Sequence, residues 1–215
     1  MKTRIFLAAI MAIGIMSFTF GQERSTEEMR TLFGNKDNKI SHGGYGAISV
    51  GYTQIDNKDV MTLGGRAGWL IDHHITLGFA GKGFISQVFI DSIPGTPENG
   101  LYMSGGYGGL FVEPIIFPNS PIHVSFPVLI GGGGFVLNEH DWHYYNYDYK
   151  YEEPVDWDSY FVLEPGVEIE LNLVKFLRVA FGGSYRYTSN LHISEVPDDL
   201  LNGFNGTVTL KFGWF

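Results

Sequence analysis

The chain has no cysteine. That excludes disulfides, thiolate metal sites and a lipid anchor attached through sulfur. Basic residues are scarce: 14 Lys and Arg stand against 23 Asp and Glu in 215 residues, a formal net charge of −9. Such a balance excludes a nucleic-acid partner of the usual kind, which needs a basic footprint. Beyond the N-terminal segment, no apolar run reaches the ~20 residues that a membrane-spanning helix needs. No Gly-rich loop precedes a helix as a phosphate cradle would, and no His-Glu-x-x-His metal signature occurs. What is abundant is glycine, at 29 residues, and aromatic side chains, at 15%. Many short segments punctuated by turns point to an all-β sandwich or barrel.

Met1 to Gly21 reads as a secretory signal. Lys2 and Arg4 form its charged start, Ile5 to Phe20 its apolar run, and Thr19 and Gly21 the small residues before a cut at Gln22. Its removal takes two positive charges away, so the mature chain is more acidic still. Residues 22–42 are polar and lack strand periodicity. Ser25 and Glu28 fit a capping box there, and Gly34 a helix end. Residues 22–42 are expected as a lead-in segment and residues 43–215 as one barrel domain.

Eight strands are expected, at 43–54, 60–71, 75–85, 101–114, 122–137, 159–171, 177–187 and 204–215. Several alternate with a period of two. In the last, Phe204, Val208, Leu210, Phe212 and Trp214 oppose Asn205, Thr207, Thr209 and Lys211. In the second, Met61, Leu63, Ala67, Trp69 and Ile71 oppose Thr62, Gly64, Arg66 and Gly68. The sixth and seventh behave alike. The fourth is too Gly-rich to assign. Pro127 and Pro165 fall inside strands, where each removes a ladder hydrogen bond and implies a bulge.

The polar face is mostly Gly, Ser, Thr and Ala with a few charges of both signs. Small residues and paired charges suit a cramped interior better than a solvated surface. The apolar face carries almost no charge and is aromatic near strand ends, at Tyr52, Trp69, Tyr187 and Trp214, which would form interfacial girdles in a membrane. Connections alternate too, the first excepted: after strands one, three, five and seven they run 55–59, 86–100, 138–158 and 188–203, and after strands two, four and six the short 72–74, 115–121 and 172–176.

Inward charges then need partners. Glu164, Glu168 and Glu170 against Arg66, Lys82, Arg178, Arg186 and Lys211 would make an interior salt-bridge network. Pairing Leu171 with Leu177 would set Glu170 opposite Arg178, and would leave Glu164 and Glu168 sharing the lumen with Arg186. Eight strands leave a lumen just wide enough for side chains, so a filled interior is expected rather than a pore.

These features resemble the small eight-stranded outer-membrane β-barrels of Gram-negative bacteria, Gly-rich and with a terminal Phe. The resemblance spans Gly43 to Phe215. It implies an antiparallel up-and-down transmembrane barrel, a periplasmic lead-in, long connections outside the cell, outer-membrane lipid around the wall, and a C-terminal strand read by the barrel-insertion machinery. No cofactor and no metal are implied. Trp214, Phe212 and Leu210 share one parity, and Phe215 has the other.

The connection 138–158 carries Trp142, Tyr144, Tyr145, Tyr147, Tyr149, Tyr151 and Trp157 among seven acids and one Lys. Rings give large contact area at low entropic cost, which suits a protein or glycan partner. They could equally extend the strands above the bilayer and pack on one another. Glu139, His140, Asp141 and His143 have metal-ligand chemistry but no fixed geometry. His123-Val124-Ser125 and His192-Ile193-Ser194 carry the His-x-Ser pair of lipid A deacylases, and a barrel-embedded lipid hydrolase is the alternative enzyme reading. A soluble periplasmic barrel binding an apolar ligand is the third.

Overall fold

The computed structural model describes residues 41–88, 101–138, 156–192 and 197–215. Those residues form nine strands and no helix: β1 (His42–Ile55), β2 (Lys58–Ile71), β3 (Ile75–Val88), β4 (Leu101–Ile116), β5 (Ile122–Ser125), β6 (Val128–Asn138), β7 (Asp156–Val174), β8 (Leu177–Thr188) and β9 (Gly203–Trp214). The expected signal and lead-in, residues 1–21 and 22–42, lie outside the described residues except for the last two. Every neighbouring pair is antiparallel, and β9 returns to pair with β1. The sheet is therefore a closed ring, the arrangement that leaves no strand edge unpaired.

β5 and β6 both lie between β4 and β7 and act as one stave, so the ring has eight. Their separation corrects one expectation. Pro127 breaks the ladder without inserting a residue. Ile115 faces Ser125 and Val112 faces Val128, while Ser125 faces Glu168 and Val128 faces Pro165, so the offset is the same on both sides of the break. The backbone stays satisfied: Phe126 N–H donates to Pro114 O at 2.9 Å, and Gly166 N–H to Pro127 O at 2.8 Å. Pro165 likewise causes no shift against β8. The one irregularity between β7 and β8 sits between Asn172 and Val174, beside their turn.

The β7–β8 register also differs from the expected one. Leu171 faces Val179 rather than Leu177, and Asn172 rather than Glu170 faces Arg178. The correction is two residues, so each side chain keeps its face. At the other end of the ring, β1 and β2 meet through Asp56 and Asn57, both with positive φ. Two such residues make the tight hairpin turn whose twist matches the strands, and Asp and Asn accept it readily.

The apolar faces point out. Phe79, Leu63, Leu110 and Phe204 are 70%, 68%, 63% and 78% exposed. They belong to a continuous band of Leu, Val, Ile and Phe on every stave. A wall of that kind is stable only against hydrocarbon, since water-soluble monomers do not expose contiguous apolar patches of such extent. The soluble alternative falls with this observation. Tyr52 and Tyr187 point out near the end carrying the long connections (the loop end). Trp69 and Trp214 do so near the end carrying the chain termini (the terminal end).

The lumen is largely filled by side chains, yet only part of the filling is polar. Toward the terminal end it holds most of the charged residues. Toward the loop end it holds Ile55, Val60, Met103, Leu137, Val162, Leu191, Leu200 and Leu201, all buried. The expected filled polar interior is thus corrected to a polar half and an apolar half. Inward glycines let opposing strands bend tightly around this filling. A Cβ on Gly131 would lie 2.1 Å from Gly108 O, whereas one on the outward Gly132 would lie 3.5 Å from its nearest neighbour, Tyr160 O.

Candidate functional site

Lys211 on β9 points inward and is fully buried. Its Nζ lies 2.6 Å from Glu113, 2.5 Å from Glu170 and 3.4 Å from Glu168. Glu113 comes from β4 and the two others from β7, so one ammonium ties together staves from across the ring. Arg66 on β2 donates to Glu168 at 2.5 Å and reaches Glu113 at 3.7 Å. Arg178 on β8 stands 3.6 Å from Glu170, and its guanidinium lies 3.9 Å over the Phe215 ring. Phe215 itself packs on Tyr45, with ring centroids 5.8 Å apart. The last residue therefore turns in to cap the cluster, which is why its parity differs from that of Trp214.

The cluster contains three cations and three carboxylates. Hydrogen bonds fill the remaining lone pairs: the Tyr45 hydroxyl donates to Glu113, Ser125 Oγ donates to Glu113 at 3.2 Å, and His123 Nε2 contacts Glu170 at 3.1 Å. Charges removed from water this completely persist because each has a partner. Glu113, Glu168 and Glu170 each bring a carboxylate oxygen to within 4.8 Å of the others, the spacing of a metal site. Lys211 already stands among them as the cation.

A second group lies above. Lys82 on β3 donates to Glu164 at 2.6 Å. The same carboxylate accepts Tyr107 Oη at 2.7 Å, Asn205 Nδ2 at 3.2 Å and the Ser184 hydroxyl. Between the groups is a cavity of about 50 Å³ lined by Arg66, Lys82, Glu164, Glu168, Thr207 and Thr209. It is polar and roomy enough for water.

Arg186 does not join either group. Its side chain is 0% exposed; its Nε donates to Leu201 O at 2.6 Å. Nη1 and Nη2 have no hydrogen-bond partner. The rings of Phe84 and Tyr107 flank it, at 5.7 and 5.6 Å. The expected sharing of Glu164 and Glu168 with Arg186 is corrected: Glu164 is already taken by four donors, and Glu168 by Arg66 and Lys211.

Sequence reasoning missed Glu113, Tyr45 and Tyr107. Glu113 and Tyr107 lie on the Gly-rich β4, where alternation is hard to see, yet both share parity with Phe111. Of the aromatic connection, Trp157 alone is described. It belongs to β7, not to a loop, and points out with 69% exposure. Trp142, Tyr144, Tyr145, Tyr147, Tyr149 and Tyr151 lie outside the described residues, as do Glu139, His140, Asp141 and His143.

The two His-x-Ser pairs part company. His123 and Ser125 are both buried in the lumen and bound to different carboxylates. A nucleophile sealed there meets no lipid ester. His192 is exposed near Asp158, at 3.7 Å; Ser194 lies outside the described residues.

At the level of the backbone the chain is similar to solved outer-membrane proteins. Neisserial surface protein A matches with a TM-score of 0.53 at 8% identity, over 81% of this chain and 99% of that one. The N-terminal β-barrel domain of Pseudomonas aeruginosa OprF gives 0.47 at 7%, over 79% and 97%. Ail, the attachment invasion locus protein of Yersinia pestis, in complex with the heparin analogue sucrose octasulfate, gives 0.46 at 9%, over 80% and 98%. No family model matches the chain, and no curated protein sequence does. The first of these likenesses, with the closed ring and the apolar exterior, gives the fold: that of the small eight-stranded β-barrels of the Gram-negative outer membrane.

Proposed function

We propose that this protein is a non-conducting outer-membrane barrel with a structural or interaction role exercised at its loop end. One observation carries the reading: apart from one cavity of about 50 Å³ the lumen is filled, by paired charges toward one end and by packed aliphatic side chains toward the other. Such a barrel offers solutes no path, and its one described His-x-Ser pair is sealed from lipid. What remains for function is the surface the wall displays. Short turns toward the periplasm and long connections outside are the usual arrangement. It puts the ring-rich, acidic stretch 138–158 on the cell surface, where a protein or glycan can be met, and leaves the wall to lipid. The terminal strand β9 is the element the insertion machinery would read.

Two measurements test this. Reconstituted into planar bilayers, the protein is expected to give no steady conductance steps; regular steps would show a path through the filling and overturn the reading. Deleting residues 140–156 is expected to leave insertion intact while abolishing partner cross-linking on intact cells. Undiminished cross-linking would take the interaction away from that stretch.

A further inference from the structure

The two charged groups of the lumen are each matched within themselves. Arg66, Arg178 and Lys211 are matched by Glu113, Glu168 and Glu170, and Lys82 by Glu164. Arg186 is left, fully buried, with both terminal nitrogens unpartnered. A buried, unpaired guanidinium is among the least favourable arrangements a protein interior can hold.

We propose that Arg186 is the anion-binding floor of a site for an amphiphilic carboxylate in the loop-end half of the lumen. Three features select that ligand class. The free edge of the guanidinium, Nη1 and Nη2, has the fork geometry that matches a carboxylate with two parallel hydrogen bonds. Glu164, which shares Tyr107 with Arg186, is fully subscribed by Lys82, Tyr107, Ser184 and Asn205, so it does not supply the second partner. Above the guanidinium the lining is aliphatic: Ile55, Val60, Met103, Leu137 and Val162, capped by Leu200 and Leu201. An apolar chain would be solvated there as it is not in the polar half.

Leu200 and Leu201 lie in the β8–β9 connection and are buried against that aliphatic cluster. Arg186 Nε holds this connection through Leu201 O. An entering chain takes the place of these leucine side chains, while the Nε bond holds the backbone in place. Eight-stranded barrels are wide enough to hold one small ligand when side chains make room.

The test uses the full-length mature protein in non-ionic detergent micelles and decanoate isotope-labelled at its carboxyl carbon. A distinct bound carboxylate resonance is expected, with affinity falling by about ten- to a hundredfold in Arg186→Met, the range for losing a charged hydrogen-bonded partner. Arg186→Lys, which keeps the charge without the fork, is expected to fall between the two. Circular dichroism checks that each variant retains its sheet. Equal binding by wild type and Arg186→Met would assign decanoate to the micelle or the outer wall and overturn the proposal. Displacement of bound decanoate by equimolar acetate would overturn the amphiphile and leave a small carboxylate, and displacement by equimolar chloride would overturn both and leave an inorganic counter-ion. Displacement by decanol would overturn the carboxylate. Conductance records and loop deletion do not bear on these results, so this site fails or stands independently of the barrel's proposed role.

Discussion

Replacing Lys211 with Met is expected to destabilise the barrel by about 3–5 kcal/mol, the cost of removing one partner from a buried ionic group. The size follows from position. Lys211 Nζ lies within 2.6 Å of Glu113 and Glu170 and 3.4 Å of Glu168, with no exposed surface on the ammonium side chain. Without it, three carboxylates converge and Arg66 and Arg178 remain to neutralise them from the flanks. Equilibrium unfolding in urea from lipid vesicles measures the effect. The double variant Lys211→Met with Glu170→Gln is expected to recover part of the loss, since it removes the excess negative charge that the single change creates. A single-variant loss below about 1 kcal/mol is what a hydrated, surface-like pair would give. It would mean that the lumen is wet rather than sealed.

The second large effect is steric. Gly131→Val is expected to cost at least about 3 kcal/mol, the upper end for forcing side chains into a packed interior. Its Cβ would meet Gly108 O at 2.1 Å and Gly109 Cα at 2.7 Å, both backbone atoms of the neighbouring stave. Main chain does not yield as a flexible side chain does. Gly132→Val, one residue along and on the opposite face, is expected to stay within about 1 kcal/mol of the parent or to gain slightly. It adds a β-branched residue to a lipid-facing strand with ordinary clearance. The same unfolding measurement compares them. Equal costs at the two positions would show that strand propensity, not the lumen, sets the glycine requirement.

The contrast between these neighbouring glycines shows what was readable from the chain. Parity was. Leu210 and Phe212 face out and Thr209 and Lys211 face in because a strand permits no other alternation, and eight staves follow from repeating that pattern. Offset along the stave was not. Arg178 faces Asn172 instead of Glu170, and nothing in the residue types of the β7–β8 turn fixes its length. Glu113 stayed hidden for a different reason. Glycines occupy both faces of β4, at Gly105 and Gly109 inside and at Gly106 and Gly108 outside, so the period-two signal cancels. The aliphatic half of the lumen was the least legible. Val60 and Leu137 are chemically the same as the residues that meet lipid, and hydropathy does not say which apolar neighbour a side chain will have.

The position of Lys211 in chain order has a bearing on assembly. The carboxylates it neutralises belong to β4 and β7, and the lysine arrives on β9, the strand that seals the ring against β1. A sheet still open at that seam already holds Lys211 two staves from Glu170, through β8, but leaves Glu113 on β4 without it. Closing the ring is what brings that last carboxylate its counter-charge, so an intermediate waiting in the membrane with a gap in its wall has a built-in electrostatic pull toward completion.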